Sequence, residues 1–144
     1  MRNCIYRFLN KNNEVMYVGK AKDLKQRLST HRHLDIECYK NIEYVQYTPV
    51  KDIELIDFIE CYYIQKYKPK YNSTFNKGSK VFKIEELDRK QWRYCRDYRR
   101  YINISDLDNI RKEHILKKEL LYKKVNKASK DFYIGWFIDY IVYM

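Results

Sequence analysis

An α+β (α/β) fold is predicted for this chain: a small three-stranded, mostly antiparallel sheet flanked by helices, with a helical extension at the C-terminal end. Three observations predict it. Residues 3–9 alternate Cys4, Tyr6, Phe8 against Ile5, Arg7, Leu9, the period of two that suits a half-buried strand. A polar turn cluster, Asn10-Lys11-Asn12-Asn13, separates that stretch from a second strand-like run at 15–19, so the two read as a hairpin. Beyond it, apolar residues at helical spacing (Leu24 and Leu28, then Ile53, Ile56 and Ile64) bracket a third strand-like run at 41–50.

Pairing Leu9 with Glu14 across a four-residue loop sets Tyr6 opposite Tyr17, and cross-strand partners share a face of a sheet. Asp23 can accept from the backbone N–H of Gln26, which starts a helix that carries Arg27 and, one turn later, His31. Pro49 ends the third strand, Asp52 can cap a helix from Ile53 to about Tyr67, and Pro69 stops that helix. Projected at about 100° per residue, Glu54 and Asp57 fall on its polar side, whereas Glu60 falls between Ile53, Ile56, Tyr63 and Ile64. An ionised carboxylate in an apolar arc is costly unless it is paired or holds a cation, so Glu60 needs a reason to be there.

The chain has 144 residues, about one domain's worth, and 45% of them are hydrophobic, enough for a packed core. Composition shifts at the linker-like Lys77-Gly78-Ser79-Lys80, dividing residues 1–77 from a basic, aromatic-rich part at 78–144 with helices expected at 91–102 and 105–125. The formal net charge is +11, and it is spread over both parts. That surplus attracts a polyanion, nucleic acid above all, though a membrane surface or an acidic protein would answer to it as well. Cys4, Cys38, Cys61 and Cys95 are far apart without a CxxC pair, which argues against zinc and for free thiols in a reducing cytoplasm. No apolar leader opens the sequence, and the apolar tail at 132–144 is too short and too interrupted by Asp139 to cross a bilayer, so no membrane span is expected.

Cys4-Ile5-Tyr6, Tyr17-Val18-Gly19, Lys20, Arg27, His31, Glu60 and the run Lys68-Pro69-Lys70-Tyr71-Asn72, in this order and spacing, resemble the GIY-YIG nuclease domain over about residues 3–75. The layout is similar to the N-terminal nuclease module of the bacterial nucleotide-excision-repair endonuclease. The resemblance implies a metal-dependent endonuclease acting on DNA. Under it Tyr6 activates water, Tyr17 orients groups in the site, and Lys20 and Arg27 lie near the scissile phosphate. Glu60 is the single carboxylate ligand of Mg²⁺ (or Mn²⁺), His31 stands where the family has Tyr or His, and Asn72 packs near the site. The departure is Cys4, where the family has Gly.

Elementary chemistry asks for the same groups. Cleaving a phosphodiester needs an activated nucleophile, charge stabilisation at phosphorus and neutralisation of the leaving oxygen; an oxygen-ligated metal at Glu60 and the Arg27 guanidinium supply the last two. A free phenol has a pKa of about 10, so ionising one at pH 7 costs roughly 4 kcal/mol. Cations beside Tyr6 lower that cost, or His31 takes the phenolic proton; the sequence leaves both open. Each residue alone has an ordinary explanation: Tyr6 and Tyr17 as core tyrosines of a strand pair, Arg27 as a solvated helix face, His31 as a satisfied histidine. Their joint placement favours the nuclease. The rival readings are a nucleic-acid-binding module that does not cut, and a helical interaction protein using residues 1–77 as scaffold.

Three further features concern DNA and assembly. Lys22 is placed to meet phosphate. Arg93, Arg96 and Arg100 recur at helical spacing within a basic aromatic run and would form one cationic stripe on the expected 91–102 helix. The tail at 132–144 would dock on the core or on a second subunit, and a homodimer would let single-strand sites make a double-strand break. The expected setting is the cytoplasm of a bacterial, phage or mobile-element host cell.

Overall fold

The computed structural model describes residues 2–73 and 83–128. In chain order these form β1 (Arg2–Leu9), β2 (Val15–Asp23), α1 (Leu24–Ser29), α2 (Ile36–Lys40), β3 (Tyr44–Pro49), a 3-10 turn (Ile53–Leu55), α3 (Ile56–Tyr67), α4 (Glu85–Asp88), β4 (Arg93–Tyr94), a second 3-10 turn (Tyr98–Arg100) and α5 (Ile104–Ala128). Two compact units result, one reaching Asn103 and one from Ile104 onward. The expected domain division near residue 77 falls among residues outside those described.

Among the described residues four strands, not three, make one sheet in the order β2-β1-β3-β4, with every pairing antiparallel. The extra strand comes from the segment expected as a helix at 91–102. Arg93 and Tyr94 pair with Tyr47 and Gln46, and Cys95 N–H donates to the Val45 carbonyl at 2.8 Å. Trp92 meets Tyr63 edge to face at a centroid distance of 5.1 Å, and the Arg7 guanidinium lies 4.1 Å above the Trp92 ring. Buried Tyr98 donates its hydroxyl proton to the Ile42 carbonyl at 3.0 Å. A free edge on β3 and these aromatic anchors outweigh a local helical pattern, since tertiary packing routinely overrides propensity. The stripe of Arg93, Arg96 and Arg100 therefore does not exist as one helix face, although each of the three is exposed.

Strand β1 is not half-buried but covered on both faces: Cys4, Ile5, Tyr6 and Phe8 are inaccessible to solvent and Leu9 nearly so. One face, with Ile5, packs in a core of Val18, Val50, Ile59, Tyr63 and Ile64 supplied largely by α3. The other carries Tyr6 and Phe8. The β1–β2 register differs by two from the expected one, with Tyr6 opposite Gly19 and Phe8 opposite Tyr17, and a bulge at Phe8 and Leu9. The hairpin loop is longer than four residues: Asn10 N–H donates to Glu14 O, Asn10 Oδ1 accepts from the N–H groups of Asn12 and Glu14, and Asn13 takes a left-handed φ of 60°. Because side chains alternate with period two, a shift of two residues leaves Tyr6 and Tyr17 on one face.

Asp23 caps α1 as expected, accepting from Gln26 N–H at 3.2 Å, and β2 continues past Gly19 to reach it. The helix ends at Ser29, so His31 is not on its face; it follows the C-terminal turn and enters the interior. Helix α2, not anticipated, is capped by Asp35 accepting from Glu37 N–H. Asp52 makes no side-chain cap, and the chain enters α3 through the 3-10 turn instead. Lys68, at φ 46°, ends α3 just before Pro69. The expected helix at 105–125 is present as α5. The tail at 132–144 lies outside the described residues, and among those described no helix is long and apolar enough to cross a membrane.

Candidate active site

The site is built on the β1–β2 hairpin. Tyr6 is fully buried in the middle of the central strand, and its ring crosses the backbone of Gly19 on β2. A Cβ at position 19 would stand 2.5 Å from the Tyr6 Cζ and Oη atoms, so only glycine lets the phenol lie there. Tyr17 sits beside it at a ring-centroid distance of 6.0 Å.

Tyr6 Oη is 2.8 Å from His31 Nε2, and His31 Nδ1 is 2.7 Å from Tyr39 Oη on α2. Tyr39 Oη in turn accepts from the backbone N–H of Leu34 at 3.2 Å. Tyr6, His31 and Tyr39 are all essentially sealed from solvent. Burial, followed by neighbouring His33 and Arg27, pushes the imidazole down to about 3, so His31 is neutral at physiological pH. Burial and the adjacent Tyr17 phenol raise Tyr6 well above the ordinary phenol range, while Arg27 opposes them.

Arg27, half-buried in the last turn of α1, acts on both phenols. Burial works against its charge, and Tyr6 and Tyr17 outweigh burial, so its pKa is raised. Glu60, in the middle of α3, is also half-buried. Burial raises its pKa, Lys20 lowers it, Asp57 raises it and Arg27 lowers it again. Glu60 in turn pushes Tyr17 upward after the larger effect of burial, which places the carboxylate, Arg27 and the second phenol within reach of one another's fields. The apolar arc around Glu60 is incomplete, since Ile53 is 55% exposed.

Lys20 forms an ion pair with Asp57, one turn before Glu60, on the exposed side of the site. Lys22 is exposed at the end of β2. Asn72 is used structurally: its Oδ1 accepts from Val18 N–H and its Nδ2 donates to Val18 O, both at 2.9 Å, fixing β2 between Tyr17 and Gly19. Tyr17, Arg27, Glu60 and, through Glu60, Lys20 thus gather around Tyr6, whereas Arg93, Arg96 and Arg100 belong to the β4 region. Three participants escaped the sequence: Tyr39, Asp57 as partner of Lys20, and His33, whose Nε2 is 3.3 Å from Tyr17 Oη and whose ring stacks on His31 at 4.7 Å. The Asp35 cap was the one local sign that a helix would carry Tyr39 inward.

Among the described residues no three His, Cys, Asp or Glu side chains gather into a metal cage. A half-buried carboxylate such as Glu60 fits a small hard divalent ion that keeps most of its waters and shares substrate phosphates, the habit of Mg²⁺.

The fold thus presents an antiparallel hairpin with two phenols, an arginine on the following helix and one carboxylate on the next long helix. Residues 2–72, about half of the chain, match the GIY-YIG catalytic domain. Similar curated proteins carry the name UvrABC system protein C. That of Mycoplasma capricolum subsp. capricolum is 42% identical over 76 residues, covering 49% of this chain and 13% of the relative. That of Shewanella frigidimarina is 38% identical over 74 residues, covering 47% and 12%. That of Borrelia duttonii is 25% identical over 144 residues, covering 88% of this chain and 23% of the relative. The chain thus spans less than a quarter of the length of these proteins.

Proposed function

We propose that this protein is a divalent-metal-dependent endonuclease that hydrolyses DNA phosphodiester bonds, one strand per site, in the cytoplasm of its host cell. The observation that carries this reading is the convergence of Tyr6, Tyr17, Arg27 and Glu60 on one partly buried site within a GIY-YIG domain.

Arg27 receives the scissile phosphate and stabilises the charge that grows on its oxygens, which is worth most where water is excluded. Tyr6, once ionised, takes a proton from the attacking water as the new oxygen–phosphorus bond forms; the bond to the leaving oxygen breaks, and that oxygen takes a proton from solvent. Glu60 would hold Mg²⁺ or Mn²⁺, which supplies neutralisation at the phosphate. Tyr17 orients the Arg27 side of the site. Lys20, shared with Asp57, keeps a positive charge beside Glu60. A histidine held near a pKa of 3 is too weak a base to store the Tyr6 proton, so the relay through His31 is the weaker of the two routes. Exposed Lys22, Arg93, Arg96 and Arg100 are available to phosphates flanking the cut.

The test is incubation of supercoiled plasmid and branched or damaged oligonucleotides with Mg²⁺, with Mn²⁺ and with chelator. Glu60→Gln is expected to abolish cleavage and leave DNA affinity near that of the unaltered protein, because the amide loses the charge that holds the metal while Lys and Arg still grip phosphate. Full cleavage by Glu60→Gln, or in excess chelator, overturns the metal assignment.

A further inference from the structure

We infer that Tyr39 is a positioning residue for the reaction: it fixes the tautomer of His31 so that Nε2–H is a permanent hydrogen-bond donor to Tyr6 Oη. The inference rests on the proposed role of Tyr6 and deepens it.

The geometry runs inward from the backbone. Leu34 N–H, which can only donate, points at Tyr39 Oη at 3.2 Å and occupies acceptor capacity of that oxygen. On this inference the phenol donates its own proton to His31 Nδ1, 2.7 Å from its oxygen. An imidazole that accepts at Nδ1 and is neutral carries its proton on Nε2, and the group 2.8 Å from Nε2 is Tyr6 Oη. The hydrogen bond therefore runs from the histidine to the tyrosine oxygen. Tyr6 Oη accepts from His31 and from the Arg27 guanidinium, and its own proton is left to the side where Tyr17 stands.

This direction matters for catalysis. A donor aimed at an oxygen stabilises that oxygen more as it becomes anionic, so the chain from Leu34 through Tyr39 and His31 favours the phenolate over the phenol. His31 acts without gaining or losing a proton. The titratable and charged groups around it are Tyr6 and Phe8's neighbour Tyr17 from the hairpin, Arg27 from α1, His33 stacked on its ring, and Tyr39 from α2; the positive charge of Arg27 and the second imidazole both disfavour imidazolium. Burial of the whole chain of groups keeps water from offering Nδ1 a competing partner.

The experiment uses the full chain with ¹⁵N-labelled histidine, with His31 assigned by comparison with His31→Asn. Long-range ¹H–¹⁵N correlation at neutral pH is expected to find one tautomer, protonated at Nε2 and bare at Nδ1. A ring protonated at Nδ1, a mixture, or imidazolium in the unaltered protein overturns the inference without any variant having to fold. Tyr39→Phe is expected to convert the ring to a mixture and to lower kcat about tenfold with KM unchanged, the scale of one lost orienting hydrogen bond. A Tyr39→Phe protein with the same tautomer and the same kcat also overturns it. Absence of DNA cleavage by the unaltered protein would defeat the nuclease reading while leaving the tautomer result to stand by itself.

Discussion

At Gly19 the phenol of Tyr6 occupies the space that any larger residue would need, and Tyr6 cannot swing away because it is fully buried and hydrogen-bonded to His31. Gly19 is thus explained by a close approach, with no appeal to chain flexibility. Gly19→Ala should push Tyr6 Oη off His31, cost about 1–3 kcal/mol of stability as overpacking does, and lower cleavage at least about a hundredfold. Thermal unfolding and rate measurements on the same preparation check both halves; an alanine protein with unchanged rate would mean the phenol's position is unimportant. His31 is a second residue with a measurable signature. Its folded pKa, about 3, lies below the ordinary histidine value of about 6.5, so its contribution to stability is fully present above pH 6.5 and is lost as pH falls toward 3. The slope is up to about 1.4 kcal/mol per pH unit for this one proton. Burial of Glu60 works in the opposite sense over the acid range, since its pKa is raised. Chemical denaturation between pH 7 and 4 should therefore give a steeper loss for the unaltered protein than for His31→Asn; equal slopes would show that His31 protonates freely in the folded state.

Among the elements, the hairpin was legible and the β4 region was not, for physical reasons that differ. Tyr6 and Tyr17 could be put on one face despite a wrong register because a two-residue shift preserves the alternation. Asp23 announced α1 through its short side chain, and Glu60 announced itself as a carboxylate on a partly apolar helix side. Residues 91–102 offer arginines and aromatics at spacings a helix could use, but their partners, Tyr47, Tyr63, Val45 and Ile42, are distant in sequence and no local pattern signals them. Tyr39 was missed as a site residue for the same reason: its role exists only after α2 folds against β1. Trp92 tests how far this added edge supports the domain. Trp92→Ala should cost about 2–3 kcal/mol through lost contact with Tyr63 and the lost cation–π contact of Arg7. A change within about 0.5 kcal/mol in denaturant titrations would show β4 to be a passive appendage.

For the molecule as a whole, the surplus of eleven positive charges favours attraction to a polyanion, in keeping with the proposed function. A molecule built on a sheet has to avoid adhering to its own copies, and an outer strand with open backbone groups is the usual weak point. Strand β2 is the outermost strand at one end of the sheet. At Met16 and Val18 its outward groups are engaged from within the chain: Tyr71 N–H donates to Met16 O, and the Asn72 amide satisfies both Val18 N–H and Val18 O. The asparagine that holds β2 in register thereby also closes that stretch of it to any foreign strand seeking to extend the sheet. One side chain thus serves both the register of β2 and the closure of its edge at Val18, and a substitution there is expected to register in light scattering as well as in a cleavage assay.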